Sequence, residues 1–408
     1  MKIALVNKHY QLGGIETIVH QLWRGLPARG TATELWISEF HNSPRRSSVH
    51  LLYPPLLDRM LHSRLASLTQ HVFPRRDWTA HQFEKIKRCK SDVVHVHGFD
   101  ESYAPMEALI ELADAKPMVV TLHGPWFFTG GCGHPLGCDR YTKACGGCPQ
   151  AGVWPVPASD NTADELEKKR RLLSDAPIHF ISPSAHLREK ALNSTVGRKW
   201  NITYLPNGVD TALFRGDRKH DPSFRQVYGV GQDRLVVLAM CRDFRDPVKG
   251  VSLMVAALKM LVADNVQVIL AGAFGQTVAS ELPDCLRPTP IGYVANDRVR
   301  RDLFEIADLF FFTSLAETFP CVVLEAMSAE CCVVSTPLEA VSEQLRQGVS
   351  GFLAEDFTSQ ALAQALALIC QAPERITEIG RQARADVLER YSEEVMLSRH
   401  EELYQRLG

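Results

Sequence analysis

The chain has 408 residues, 45% of them apolar and 23% charged, with 45 Lys and Arg against 47 Asp and Glu. At about 150 residues per domain that length suits two or three domains, and a formal net charge of −2 gives no overall pull toward nucleic acid. No apolar run reaches the length of a spanning helix, and the start MKIALVNKHYQLGG lacks the apolar core and cleavage site of a signal peptide, so a cytoplasmic location is expected.

Short apolar runs alternate with helix-length segments twice over, the pattern of two doubly wound α/β halves with parallel sheets. The first half places strands at Lys2–Asn7, Thr33–Ile37, Asp92–His97, Met118–Leu122 and His179–Ile181. The second repeats the pattern at Leu235–Met240, Val266–Ala271, Pro290–Tyr293, Leu309–Phe312 and Cys331–Ser335. The expected division is a first domain over 1–190 carrying a Cys-rich insert at 128–150, a second over 191–385, and a C-terminal helical segment, 386–408, returning to the first. Ligands of such folds bind at the carboxyl ends of the strands, so the chemistry is sought in those loops.

Gly13-Gly14 follows the first strand and opens a helical pattern, leaving room for a ligand at a helix N-terminus or simply making a tight turn. Residues 41–90 hold ten Lys and Arg against three acids, interleaved with apolar groups. That composition suits peripheral contact with an anionic membrane, or equally a solvated helix pair. His95 and His97 alternate with apolar residues and read as packed strand histidines, His97 lying nearer the strand end. His123 ends a strand and precedes Gly124-Pro125, which fits a donor to a sugar hydroxyl.

Beyond His123, Cys132, Cys138, Cys145 and Cys148 sit in a Gly-rich segment. They have the ligand count of a tetrahedral structural zinc site, or are four reduced thiols in an ordered loop. Trp126, Phe127, Arg140 and Tyr141 flank them as candidate contacts for an acceptor sugar or lipid. Cys241, Cys331, Cys332 and Cys370 read as small apolar residues of buried strands.

Arg242 and Lys249 bracket the loop after Leu235–Met240, with Gly250 opening the next helix. Two cations at one strand end match a pyrophosphate leaving group, whose charge grows as its bond to carbon breaks. The segment ETFPCVVLEAM then follows the buried run Leu309–Phe312. A helix beginning at Phe319 or Pro320 offers free N–H groups to a phosphate, and Glu325, roughly 7 Å along its axis, can accept from two ribose hydroxyls. Glu317 stays in the loop.

Together these residues resemble the retaining glycosyltransferases of family 4, whose two Rossmann-like halves face a central cleft in the GT-B fold. The matches are GGIE at 13–16, His123, PNGVD at 206–210, Arg242 with Lys249-Gly250, and ETFPCVVLEAM at 317–327, and they span nearly the whole chain. The resemblance implies that Glu325 holds the ribose, that Arg242 and Lys249 bind the diphosphate, and that His123 lies near the reacting carbon. Glu317 then contacts the donor sugar with the backbone of Thr318, Phe319, Pro320 and Cys321, and Gly13-Gly14 joins the donor site. Thr318 stands where the family more often has Gly or another small residue.

What the resemblance implies overall is hexose transfer from UDP- or GDP-sugar to a glycan or lipid-linked acceptor, with retention, in bacterial surface polysaccharide synthesis of the colanic-acid type. The enzyme would work at the inner membrane face. No cofactor is expected for catalysis, since no Asp-x-Asp metal motif accompanies these residues. Front-face attack fits better than a glycosidase-like pair of acids, because Glu325 is occupied by ribose. The rival readings are a sugar-nucleotide epimerase or hydrolase and a non-catalytic binding subunit.

Overall fold

A computed structural model describes residues 1–10, 13–39, 48–52, 83–101, 104–219, 221–261 and 265–408. Of the basic window 41–90, Arg45, Arg46, Arg59, Arg64, Arg75 and Arg76 lie outside the described residues. Lys87, inside them, is ion-paired to Glu84 and Glu111.

The chain folds into two units, Met1–Pro206 with Met396–Gly408, and Asn207–Val395. In the first, strands β1 (Lys2–His9), β2 (Ala32–Glu39), β3 (Val49–Leu51), β4 (Val93–Val96), β5 (Met118–Thr121), β6 (Ile178–Ser182) and β7 (Asn201–Tyr204) form one sheet. Its order is β3-β2-β1-β4-β5-β6-β7, and every neighbouring pair is parallel. The central strands are apolar without alternation because helices cover both faces. Those helices include α1 (Gly14–Ala28), α2 (Met106–Ala115), α3 (Thr162–Leu173) and α4 (Ala185–Asn193).

From Met396 onward the C-terminal helix, Glu393–Leu407, belongs to this unit. Leu397 leans so closely on Gly25 that a Cβ there would lie 2.4 Å from its Cδ1. Glu401 accepts from Arg29 Nε at 3.1 Å and Thr31 Oγ1 at 2.9 Å.

The second unit is a parallel sheet of β8 (Leu235–Asp243), β9 (Val266–Ala273), β10 (Thr289–Gly292), β11 (Leu309–Phe312), β12 (Cys332–Ser335) and β13 (Gly351–Leu353). The order is β10-β9-β8-β11-β12-β13. Helices α5 (Val251–Met260), α6 (Asp297–Ile306), α7 (Cys321–Ser328), α8 (Ser359–Cys370) and α9 (Pro373–Arg390) belong to it. Phe304, Phe310, Leu324 and Met327 are fully buried on one side of the sheet. Burying each such side chain contributes about 1.5–3 kcal/mol.

Three strands escape the sequence pattern. β3 and β13 span three residues each, and β7 buries only Ile202 and half-buries Thr203. Because β7 pairs with β6, the first unit runs to Pro206 and the boundary expected at 190 moves to 206/207. The later boundary moves too, from 385 to 395. There the backbone of Val209 receives Glu393 N at 2.9 Å and donates to Tyr391 O at 2.9 Å, holding residues 391–393 in the second unit.

Candidate functional site

In the second unit the chain steps outward from β8 to β9 and β10, then returns to lay β11 on the other side of β8. The carboxyl ends of β8 and β11 therefore flank the reversal in strand order, the place where such sheets leave a crevice. Arg242 stands at the end of β8 and is exposed. The following loop carries Lys249, and the loop after β11 carries Glu317.

Backbone and hydroxyl bonds stitch these loops together. Leu315 N donates to Val248 O at 2.7 Å, and Thr313 Oγ1 donates to Lys249 O at 3.0 Å. Gly250 makes the approach feasible. Its φ is +62°, and a Cβ there would lie 2.0 Å from Thr313 O, so only glycine fits.

The consequence is a half-buried ion pair, with Lys249 Nζ 2.7 Å from Glu317 Oε1. Ser314 Oγ donates to the same oxygen at 3.0 Å. Burial pulls the Lys249 ammonium down, but the Glu317 carboxylate outweighs it and leaves the lysine above its usual value, a cation at neutral pH. Lys249 also lines a cavity of about 270 Å³ with Met240, Phe312, Thr313 and Ser314.

Helix α7 begins at Cys321, with Pro320 as the capping residue, one step later than the sequence expectation. Phe319 is buried against Tyr391, the ring centroids 5.6 Å apart, and so anchors the turn. Pro320 O accepts from Gln344 Nε2 at 3.2 Å, and Asn207 Nδ2 reaches Phe319 O at 3.5 Å. Burial pushes the Cys321 thiol up to about 12, so it remains a neutral lining group.

Glu325 lies on the second turn of α7 and is 5% exposed. Burial raises its carboxyl to about 7, although Arg300 of α6 opposes the shift. Arg300 Nε is 3.2 Å from Glu325 Oε2, an ion pair without hydrogen-bond alignment. A carboxylate buried this deeply with one oblique cation has lone pairs to offer hydroxyl donors.

In the first unit, Gly13 and Gly14 are both exposed at the start of α1. The Gly13 amide is already used, since Gly13 N donates to Glu16 Oε2 at 2.7 Å. Glu16 Oε1 in turn accepts from Asn7 Nδ2 at 3.1 Å, at the end of β1. Nothing lies within 4 Å of a Cβ built on Gly14, so the open approach is at that residue.

His123 follows β5, its Nε2 2.9 Å from His97 Nδ1. His95 and His97 are fully buried, as packed strand histidines should be. His95 bridges Tyr404 OH at 2.6 Å and Thr121 Oγ1 at 2.7 Å, and His400 lies 5.8 Å away between ring centroids. Burial lowers all four imidazoles, His123 to about 3 and His400 to about 4. His123 is therefore a neutral dipole at physiological pH, not a proton donor of the imidazolium kind.

Phe127 and Tyr141 do not serve as surface contacts for an acceptor. Both are buried in the core of this unit, Phe127 between Phe99 and Phe180 with centroids 5.8 and 6.1 Å away. Trp126 is half-buried with the Lys169 ammonium 3.7 Å from its ring centre. Arg140 is exposed and donates to Gly146 O. Among the other cysteines, Cys331 and Cys332 are buried at the start of β12 and Cys241 is half-buried in β8, whereas Cys370 is half-buried at the end of helix α8 and not in a strand.

Arg300, Asn207, Ser314 and Glu16 are functional candidates that spacing alone missed or noted only inside a motif. Asn207 and Glu16 carry a signal, in PNGVD and GGIE. Arg300 carries none, because its position is set by the packing of α6 against α7.

A Rossmann-like unit holding a Lys–Glu pair at its strand-order reversal, beside a buried helical glutamate, has the groups to receive an anionic, hydroxyl-bearing ligand. Residues 12–213 match the model of Glycosyltransferase Family 4, and residues 234–372 match that of Glycosyl transferases group 1. The chain belongs to glycosyltransferase family 4 and has the two-unit architecture of the GT-B fold.

Similar proteins include WcaC of Escherichia coli (strain K12), assigned to colanic acid biosynthesis as a glycosyl transferase. It is 24% identical over 100% of both chains. The amylovoran biosynthesis glycosyltransferase AmsK of Erwinia amylovora is 29% identical over 31% of this chain and 32% of its own. Among solved structures, HepE of Anabaena in complex with UDP and glucose superposes with a TM-score of 0.70, at 20% identity over 100% of both chains. Sucrose-phosphate synthase of Thermosynechococcus elongatus gives 0.74 at 19% identity, covering 100% of this chain and 98% of its own.

Proposed function

We propose that this glycosyltransferase moves a hexose from a UDP- or GDP-sugar to a glycan or lipid-linked acceptor during bacterial surface polysaccharide synthesis, with retention of configuration. The observation that carries the reading is the Lys249–Glu317 pair held where β8 and β11 end, with Glu317 in the loop that leads into the helix of the buried Glu325. The names of WcaC and AmsK support the polysaccharide setting, and the UDP and glucose in HepE support a sugar-nucleotide donor.

In this reading Arg242 and Lys249 face the diphosphate and Glu325 accepts from the ribose hydroxyls. Glu317 turns from Lys249 to the donor sugar beside Thr318, Phe319, Pro320 and Cys321. As the glycosidic bond lengthens, charge builds on the diphosphate oxygen, where Lys249 stabilises it. That oxygen takes the acceptor proton while the acceptor attacks the same face. Neutral His123 supplies a hydrogen bond to a sugar hydroxyl, and Gly14 leaves room for the donor. Peripheral contact with an anionic membrane through 41–90 belongs to the same reading. Among the described residues, no helix is long and apolar enough to cross a membrane.

A thermal-shift panel of UDP, GDP and ADP sugars identifies the donor, because a ligand bound only by the folded state raises the melting temperature. Nucleotide release should then require an added acceptor; release without one points to a hydrolase. Glu325→Ala should weaken binding of the bare nucleotide about 10-fold or more, whereas Glu317→Ala should spare it and depress turnover. Equal loss of nucleotide affinity in both variants contradicts these roles.

A further inference from the structure

The segment 129–161 has little regular structure, and its buried apolar side chains are Tyr141 and Val156. Its regular structure is a single turn of 3-10 helix, Arg140–Thr142, and Leu136, Val153 and Trp154 are exposed, Trp154 to 88%. Yet it is ordered around one cavity of about 350 Å³, whose lining includes all four of Cys132, Cys138, Cys145 and Cys148. A loop without a core of its own needs a cross-link or a metal.

Three of the sulfurs already have hydrogen-bond partners, although burial pushes the Cys132 and Cys145 thiols up. Gln150 N approaches Cys148 Sγ at 3.4 Å, the Gly130 amide donates to Cys145, and Thr129 bonds Cys132. Gly146 and Gly147, between Cys145 and Cys148, have φ of +115° and +55°, a sharp turn between two cysteines that line the same cavity. Behind the cluster, Lys169 is completely buried. Its ammonium donates to Trp126 O at 2.6 Å and Thr129 O at 3.1 Å. Among the described residues no carboxylate forms an ion pair with it, and Glu165, Cys132, Glu101 and Cys145 lie within its electrostatic reach.

We propose that Cys132, Cys138, Cys145 and Cys148 are the four thiolate ligands of a structural zinc ion that fastens residues 129–161 to the first unit. Four thiolates and one Zn²⁺ make a centre of charge −2, which favours the ammonium form of the buried Lys169 that burial alone disfavours. Binding releases the four S–H protons to solvent and transfers no electrons. N–H···S bonds orient the sulfurs, as second-sphere donors do at tetrathiolate sites. As the residues stand, no three His, Cys, Asp or Glu among those described are gathered tightly enough to hold an ion. Binding must therefore draw the sulfurs inward to about 2.3 Å from the metal, a contraction into the cavity they share. The centre lies in the stretch that begins six residues after His123 and three after Trp126, and is tied back to Trp126 by Lys169, so it steadies that turn rather than taking part in chemistry.

The test is elemental analysis of protein purified under reducing conditions without chelator. About one zinc per chain is expected, lost when Cys145→Ser and Cys148→Ser are combined. Should that variant fail to fold, wild-type protein answers the question. Titrating its thiols with a mercurial should release zinc in step with thiol loss, and limited proteolysis should then cut within 129–161 while 207–395 stays intact. Cobalt exchanged into the site should show the intense visible bands of tetrahedral thiolate coordination. Metal-free reduced protein, iron with acid-labile sulfide, or Cys–Cys disulfides found by mass spectrometry would each overturn the zinc assignment, and none of these results bears on donor binding by the second unit.

Discussion

At the carboxyl end of its sheet the first unit gathers imidazoles, His95 and His97, with His400 beside them, buried and His123 half-buried, all held neutral. The second unit sets carboxylates against cations, Glu317 on Lys249 and Glu325 on Arg300. Both units have the same parallel α/β frame, so the frame does not dictate the chemistry of its strand ends. The difference lies in what each arrangement can exchange. A neutral histidine cluster offers dipoles that need no counter-ion, whereas a Lys–Glu pair offers two charges that a diphosphate and a hydroxylated sugar can each claim.

The largest effect that sharpens this contrast is on turnover. Lys249→Ala and Glu317→Gln should each lower kcat about 10²- to 10³-fold. The double variant should be far less impaired than the product of the two, because the groups act as a unit. Full additivity in steady-state kinetics would mean that the pair is not shared in the reaction.

Acid should separate the units next. Unfolded histidine takes a proton near 6.5, whereas His123 and His400 are held at about 3 and about 4 and His95 and His97 well below their usual value. Their contribution is complete above about 6.5 and is lost as the pH falls toward 3–4, since the unfolded chain then binds more protons. Hydrogen exchange read by mass spectrometry should show peptides over 93–123 and 396–408 losing protection before those over 235–243 and 309–328. The reverse order breaks the comparison.

Glu325 gives the smallest effect, and its sign is opposite. Its folded-state value of about 7 lies above the ordinary carboxyl range, so its contribution is present at acid pH and lost as the pH rises through about 7. Glu325→Gln should stabilise the unliganded protein at pH 8 by about 1–2 kcal/mol, with little change at pH 5, measured by thermal unfolding. The same substitution should weaken nucleotide binding.

The sequence carries much of this legibly because apolar runs report burial on both faces, and strands such as β1, β4, β9, β11 and β12 fall on such runs. It hides β3, β7 and β13, which are too short or too exposed to leave a period. In the site, residues close in sequence were readable: ETFPCVVLEAM contains both glutamates, and the Gly after Lys249 marks a backbone approach. Partnerships across the fold were not. Arg300 meets Glu325 only because α6 packs beside α7, His97 meets His123 only because β4 and β5 pair, and the burial of Phe127 and Tyr141 depends on a core that no local pattern describes.

The return of the C-terminal helix has a consequence for how the protein is made. Residues 207–395 form one uninterrupted stretch, complete in itself, while the first unit lacks the partners of Gly25, Arg29, Thr31 and His95 until Leu397, Glu401 and Tyr404 have been synthesised. Domains fold as units while the chain emerges, so the half begun first on the ribosome is the half finished last.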